Sequence, residues 1–156
     1  MRVLIVEDDM VIAGNLGPII TRAGHDLVGL AAEMGSAVAL LRSTRVDVAF
    51  IDIHLLDGRT GVEVARVAAE EGAVAIFTTA NRGLAPPDFA GACGVIEKPY
   101  HDAAIEAALA YVAARLADGW TAAPPPPGFE LSPQWAKRPN ATPRPRPAAT
   151  ESQPSV

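Results

Sequence analysis

The sequence has 156 residues, of which 49% are hydrophobic and 20% are charged, so it can form one domain around a single core. Its net charge of −5 argues against nucleic acid as the main partner, because a phosphate-binding surface needs clustered Lys and Arg. No apolar run approaches the ~20 residues that cross a bilayer, and the single cysteine, Cys93, cannot form an internal disulfide. We therefore expect a cytoplasmic protein without a nucleic-acid or membrane partner.

Strand and helix patterns alternate along most of the chain. Five short segments rich in β-branched and aliphatic residues are predicted to be strands. These segments are residues 2–6, 26–30, 46–51, 73–78 and 95–97. The segments between and after them have apolar residues at helical spacing. These predicted helices are residues 10–23, 35–43, 60–72, about 87–92, and 101–117.

This alternation predicts an α/β fold for residues 1–117. Strands that alternate with helices form a parallel sheet with helices on both faces, and right-handed crossovers leave few topologies. The commonest is the flavodoxin-like order 2-1-3-4-5, so we predict a doubly wound, five-stranded parallel sheet. Residues 118–156 hold ten of the 14 prolines and show neither pattern. We expect them to form an extended, disordered tail.

Charged and polar residues follow four of the five predicted strands. Glu7 and Asp8 follow the first strand, Asp52 the third, Thr79 the fourth and Lys98 the fifth. Because the carboxyl ends of parallel strands meet at one edge, these side chains should converge. Converging carboxylates need a cation between them, and oxygen-only ligands that leave room for water favour Mg²⁺. The lysine and the hydroxyl would face an anion, so the pattern indicates transfer of a phosphoryl group to Asp52.

Each of these residues taken alone has an ordinary structural explanation. An acid after a strand is often a helix N-cap, a threonine is often a turn residue, and a lysine at a strand end is often solvated. Four matched residue types at four strand ends make the functional interpretation the better one.

Four short motifs resemble the receiver domain of two-component response regulators. They are LIVEDD at 4–9, FID at 50–52, TTA at 78–80 and EKP at 97–99, in the order that the family has. The resemblance covers residues 1–117. It implies a phosphoryl group on the third-strand acid, a bound Mg²⁺ and a partner that donates the phosphoryl group.

The resemblance also implies a role for each matching residue. Asp52 is expected to be the phosphoacceptor. Asp8, with Glu7 beside it, is expected to be a direct metal ligand. Asp52 and the backbone carbonyl of His54 are expected to complete the metal's protein ligands. Thr79 is expected to be the switch hydroxyl and Lys98 the phosphate-binding lysine. The resemblance further implies a cis bond between Lys98 and the proline that follows it.

Three features depart from the usual receiver pattern. The loop IHLLDGRTG, residues 53–61, lacks the usual Met-Pro and is one residue longer. Val95 stands where receivers that couple a threonine to an aromatic rotamer have the aromatic residue. The span from Thr79 to Lys98 is short and contains Pro86 and Pro87, which predicts an abbreviated fourth helix. Together these features look similar to variant receivers of alphaproteobacterial stress pathways.

The leading hypothesis is a single-domain response regulator. It would accept a phosphoryl group on Asp52 from a sensor histidine kinase or a histidine phosphotransfer protein, and then signal to a downstream protein by contact or by onward transfer. Its own chemistry would be limited to Mg²⁺-dependent self-phosphorylation and slow self-dephosphorylation, so it is not expected to be an enzyme. We expect a monomer or a weak homodimer.

Two alternatives remain open from the sequence. An aspartate-nucleophile phosphohydrolase would resemble this arrangement, but it needs a second acid two residues after the nucleophile, where this chain has His54. A non-phosphorylated interaction module would not need the intact set of acids, hydroxyl and lysine.

Overall fold

The computed structural model describes residues 1–118 and 123–137. Six strands form one sheet: β1 Arg2–Val6, β2 Asp26–Ala31, β3 Val48–Asp52, β4 Val74–Thr79, β5 Gly94–Glu97 and β6 Phe129–Leu131. Five helices accompany them: α1 Met10–Arg22, α2 Met34–Ser43, α3 Gly61–Glu70, α4 Asp102–Asp118 and α5 Pro133–Ala136.

The strand order confirms the predicted flavodoxin-like fold. The sheet runs β2-β1-β3-β4-β5-β6, and the first five strands are parallel. Side chains on one face of the sheet pack with α2 and α3, and those on the other face pack with α1 and α4. The central strand β3 is fully buried along its length because it is covered on both faces.

The fourth helix is abbreviated, as predicted, but residues 87–92 do not form an α-helix. Between β4 and β5 the chain forms two 3₁₀ turns, Arg82–Leu84 and Phe89–Gly91. Phe89 and Ala90 have φ angles of 53° and 48°, a left-handed conformation that an α-helix cannot contain.

The prediction of a disordered tail is wrong for part of residues 118–156. Residues 129–131 form β6, which pairs antiparallel with β5 and so extends the predicted five-stranded sheet. Phe129 is only 4% exposed and joins the core between the sheet and α4. Burial of this aromatic ring and pairing with a free strand edge offset the cost of ordering the segment. Residues 119–122 and 138–156 of the predicted tail lie outside the described residues.

In residues 1–118 and 123–137, no helix is both long enough and apolar enough to cross a membrane.

Candidate functional site

The register of the parallel strands brings the predicted site residues to one edge of the sheet. Asp52, the last residue of β3, is paired with Thr78, and Thr79 is paired with Glu97. Lys98 follows directly after β5, so it leaves the sheet at the same edge. This edge is the one at which open α/β sheets hold their ligands.

Lys98 bridges two buried carboxylates that belong to different strand ends. Its Nζ lies 2.6 Å from Glu7 Oε2 and 2.7 Å from Asp52 Oδ2. The side chain of Glu7 is 2% exposed, and those of Asp52 and Lys98 are each 13% exposed. Charge-assisted hydrogen bonds of this length are strong, and they compensate for the removal of the three charges from water.

The cluster contains three carboxylic acids, Glu7, Asp8 and Asp52, but only one lysine, Lys98. Burial raises the pKa of Glu7 above its ordinary value, despite hydrogen bonds from Lys98 and from the Asp9 amide. Burial alone would lower the pKa of Lys98, but the hydrogen bonds to Asp52 and Glu7 outweigh it and the pKa is raised. Burial therefore disfavours the charged form of Glu7, whereas the two neighbouring carboxylates favour the charged form of Lys98.

The acidic side chains meet the requirements of a site for a hard cation. One carboxylate oxygen from each of Glu7, Asp8 and Asp52 lies within 4.8 Å of the others. Oxygen-only ligands of this kind suit Mg²⁺, which in proteins usually keeps several bound waters. His54 contacts the cluster through its backbone N–H, which donates to Asp52 Oδ1 at 3.1 Å. The role of its carbonyl as a ligand remains a prediction.

Gly61 allows the loop after β3 to return against that strand, and sequence reasoning missed it. A Cβ at this position would lie 1.9 Å from the backbone oxygen of Asp52 and 2.8 Å from Ile53 Cα. Only glycine can begin α3 in that space. The sequence contains this glycine, but it does not indicate that the backbone at Gly61 lies against the backbone of Asp52.

Thr79 lies at the edge of the site, but its hydroxyl forms hydrogen bonds with the loop that follows it. The residue is 1% exposed. Its hydroxyl donates to the Asn81 carbonyl at 3.2 Å, and Oγ1 accepts from the Asn81 amide at the same distance. The structure thus brings Glu7, Asp8, Asp52 and Lys98 together and leaves the hydroxyl engaged with its own loop.

Asp9 supports the site from outside it. Its carboxylate caps α1 by accepting from the amides of Val11 and Ile12 at 2.8 and 3.2 Å. Its own amide donates to Glu7 Oε1 at 3.1 Å. Sequence reasoning assigned it no role, although an acid directly before a helix is the usual signal of an N-cap. The peptide bond between Lys98 and Pro99 is cis, as expected.

Comparison with known proteins agrees with this geometry. The sequence matches the response regulator receiver domain over residues 3–110. No curated protein matches it. A CheY-like receiver domain protein from Methanospirillum hungatei JF-1 is 26% identical with a TM-score of 0.64, and the alignment covers 75% of this chain and 94% of that one.

Two structures of PhyR, a receiver-containing response regulator, are also similar. The Brucella abortus protein is 25% identical with a TM-score of 0.58, over 67% of this chain and 44% of that one. A second, described as the PhyR stress response regulator, is 28% identical with a TM-score of 0.58, over 69% and 43%. The chain therefore spans less than half of either PhyR. Since the family match includes every strand-end residue from Glu7 to Lys98, this chain belongs to the response regulator receiver family.

Proposed function

We propose that this protein is a response regulator whose receiver domain accepts a phosphoryl group on Asp52. The observation that carries the proposal is the bridge from Lys98 to Asp52 and Glu7, at 2.7 and 2.6 Å, inside a cluster of three acids. A carboxylate held against a fixed cation, at the edge where parallel strands end, is suited to nucleophilic attack on a phosphoryl group.

In the proposed reaction, a carboxylate oxygen of Asp52 attacks the phosphorus of a phosphohistidine on the donor protein. An O–P bond forms and the P–N bond breaks; its electron pair stays on the imidazole nitrogen, which takes a proton from solvent. Lys98 offsets charge on the phosphoryl oxygens, and the Thr79 hydroxyl donates to one of them. Glu7, Asp8 and Asp52, together with the His54 carbonyl, would hold Mg²⁺, which would supply further positive charge at the site.

The start of α1 offers a docking surface for the phosphodonor. Met10 and Val11 are each 72% exposed and stand directly after the acidic residues of the site. Beside them is a cavity of about 620 Å³ between α1 and the segment 98–100. Exposed apolar side chains next to a reactive group are typical of protein contacts. This surface supports a sensor histidine kinase or a phosphotransfer protein as the donor.

We propose that the chemistry stops at phosphorylation and slow self-dephosphorylation of Asp52. An aspartate-nucleophile phosphohydrolase needs a second acid two residues after the nucleophile, and His54 occupies that position with its side chain exposed. The signal would then leave through contact with a downstream protein or by onward transfer. Multiple turnover of a phosphomonoester substrate would contradict this view.

The test is phosphorylation of the protein with acetyl phosphate and Mg²⁺, followed by intact mass spectrometry. Wild type is expected to gain the mass of one phosphoryl group, and Asp52→Asn is expected to gain none. Asp26→Asn is a matched control, because Asp26 is exposed at the opposite end of the sheet, and it should react as wild type does. Labelling of Asp52→Asn at the wild-type level would overturn the proposal.

A further inference from the structure

Residues 129–137 cover the edge of β5 as a short segment. Three residue pairs join β5 to β6, from Gly94 with Leu131 to Ile96 with Phe129. The Ser132 amide donates to the Cys93 carbonyl, and the Arg115 guanidinium donates to the Trp135 carbonyl. A three-residue edge strand belongs to the parts of a fold in which local opening occurs most readily.

Gly94 shows how closely β6 approaches β5. A Cβ on Gly94 would lie 2.3 Å from the backbone oxygen of Glu130 and 2.7 Å from Phe129 Cε2. The absence of a side chain at this position therefore makes the docking of β6 possible. The Phe129 ring in turn meets the Tyr111 ring edge-to-face at 6.1 Å between centroids.

Arg82 holds β6 from the other side. Its Nε and one terminal nitrogen each lie 2.6 Å from a carboxylate oxygen of Glu130, so the pair is bidentate. Its guanidinium also lies 4.8 Å above the centre of the Phe89 ring. That ring belongs to the segment in which Phe89 and Ala90 adopt left-handed backbone angles, which are unfavourable for residues other than glycine.

A short chain of contacts joins Arg82 to the phosphorylation site. Arg82 is the residue after Asn81, and Asn81 exchanges two hydrogen bonds with the Thr79 hydroxyl. A hydroxyl has one proton to donate. If Thr79 donates to a phosphoryl oxygen on Asp52, its donation to the Asn81 carbonyl is lost, and the turn that carries Arg82 loses an anchor.

We propose that residues 129–131 are a strand that covers the edge of β5 in the unmodified protein and leaves this edge when Asp52 is phosphorylated. Phosphorylation draws Thr79 away from Asn81, shifts Arg82 and releases β6. This inference rests on the proposed phosphorylation of Asp52.

Val95 is consistent with this route. It is paired with Glu130 in the β5–β6 ladder and is 2% exposed. β6 thus already covers the position at which other receivers carry a switching aromatic residue. In this chain, the conformational change that follows phosphorylation passes instead through the turn that carries Arg82.

Hydrogen–deuterium exchange of the full chain tests the release, with the phosphoryl mass measured in the same samples. Amides of residues 94–97 and 129–136 are expected to exchange about tenfold faster or more after phosphorylation. Full phosphorylation with unchanged exchange there would overturn this inference alone. Absence of the phosphoryl mass would overturn the proposed function and this inference with it.

Two variants separate release from phosphorylation. Gly94→Ala should show fast exchange of β6 before phosphorylation, no further rise after it, and normal gain of the phosphoryl mass. Glu130→Gln, a milder change, should raise the exchange of β6 in the unmodified protein about two- to fivefold. Gly35→Ala is the matched control, because a Cβ there meets nothing within 4 Å. Slow, wild-type exchange of β6 in both test variants would contradict the assigned contacts.

Discussion

At the scale of single residues, Lys98 has two roles that could not be distinguished from the sequence. It is expected to meet the incoming phosphoryl group, and in the unmodified protein it neutralises Glu7 and Asp52. Removal of one partner from a buried ion pair leaves an uncompensated charge, which is more costly than the pair itself is stabilising. The lysine is therefore part of the folded structure as well as of the site.

Substitution of Lys98 should reveal the structural task. Lys98→Met is expected to lower the free energy of unfolding by about 3 kcal/mol at neutral pH without divalent cations, because two buried carboxylates lose their cation. Urea unfolding measures it. Lys137→Met is the control, since Lys137 is exposed and should leave stability unchanged. Equal stability of the two variants would show that Lys98 does not neutralise these acids.

At the scale of elements, close backbone approach decides where α3 begins. Gly61 stands where a Cβ would overlap the Asp52 carbonyl, whereas Gly14 lies on the exposed side of α1 with nothing within 4 Å. The same glycine-to-alanine change should therefore act in opposite directions at the two positions.

Gly61→Ala is expected to destabilise the protein by about 2 kcal/mol or more and to slow phosphorylation, because the loop must move away from Asp52. Gly14→Ala should stabilise it by about 0.5–1 kcal/mol through helix propensity. Thermal unfolding and the rate of mass gain with acetyl phosphate measure both effects. A destabilised Gly14→Ala, or an unaffected Gly61→Ala, would contradict the geometry.

At the scale of the whole molecule, the acidic site couples stability to pH and to metal. Burial raises the pKa of Glu7 above its ordinary value of 4.5. An acid whose pKa is raised in the folded state contributes stability below its unfolded pKa and loses that contribution as pH rises through the folded pKa. Without metal, ionisation of Glu7 is therefore expected to lower the stability of the folded protein as pH rises towards neutrality.

Glu7→Gln removes this titration. In metal-free buffer, wild type is expected to lose stability relative to Glu7→Gln as pH rises from about 4.5 towards neutrality. Mg²⁺ should reverse the difference, stabilising wild type by about 2.7 kcal/mol at a concentration 100 times its Kd, and the variant by less. Thermal unfolding at a series of pH values, with and without Mg²⁺, makes the measurement. Parallel pH profiles for the two proteins would rule out Glu7 as the titrating group.

The sequence by itself determined the parallel sheet, its order and the set of side chains at its carboxyl edge. These features follow from local patterns, because apolar runs specify buried strands and parallel strands must end at one edge. The placement of Glu7, Asp52 and Lys98 could be predicted for the same reason. The cap formed by Asp9 was also within reach, since it depends only on neighbours in the chain.

Only the tertiary structure decided how the far edge of the sheet is closed. Proline-rich composition predicted a mostly disordered tail over residues 118–156, but burial of Phe129, the free edge of β5 and hydrogen bonds from Arg82 and Arg115 order a short segment of it. Whether this segment meets that edge depends on Gly94, Arg82 and Glu130, which are distant in sequence. Contacts between residues so distant in sequence leave no periodic pattern and no local motif in the sequence. The strand that covers β5 can therefore be recognised only in the folded structure.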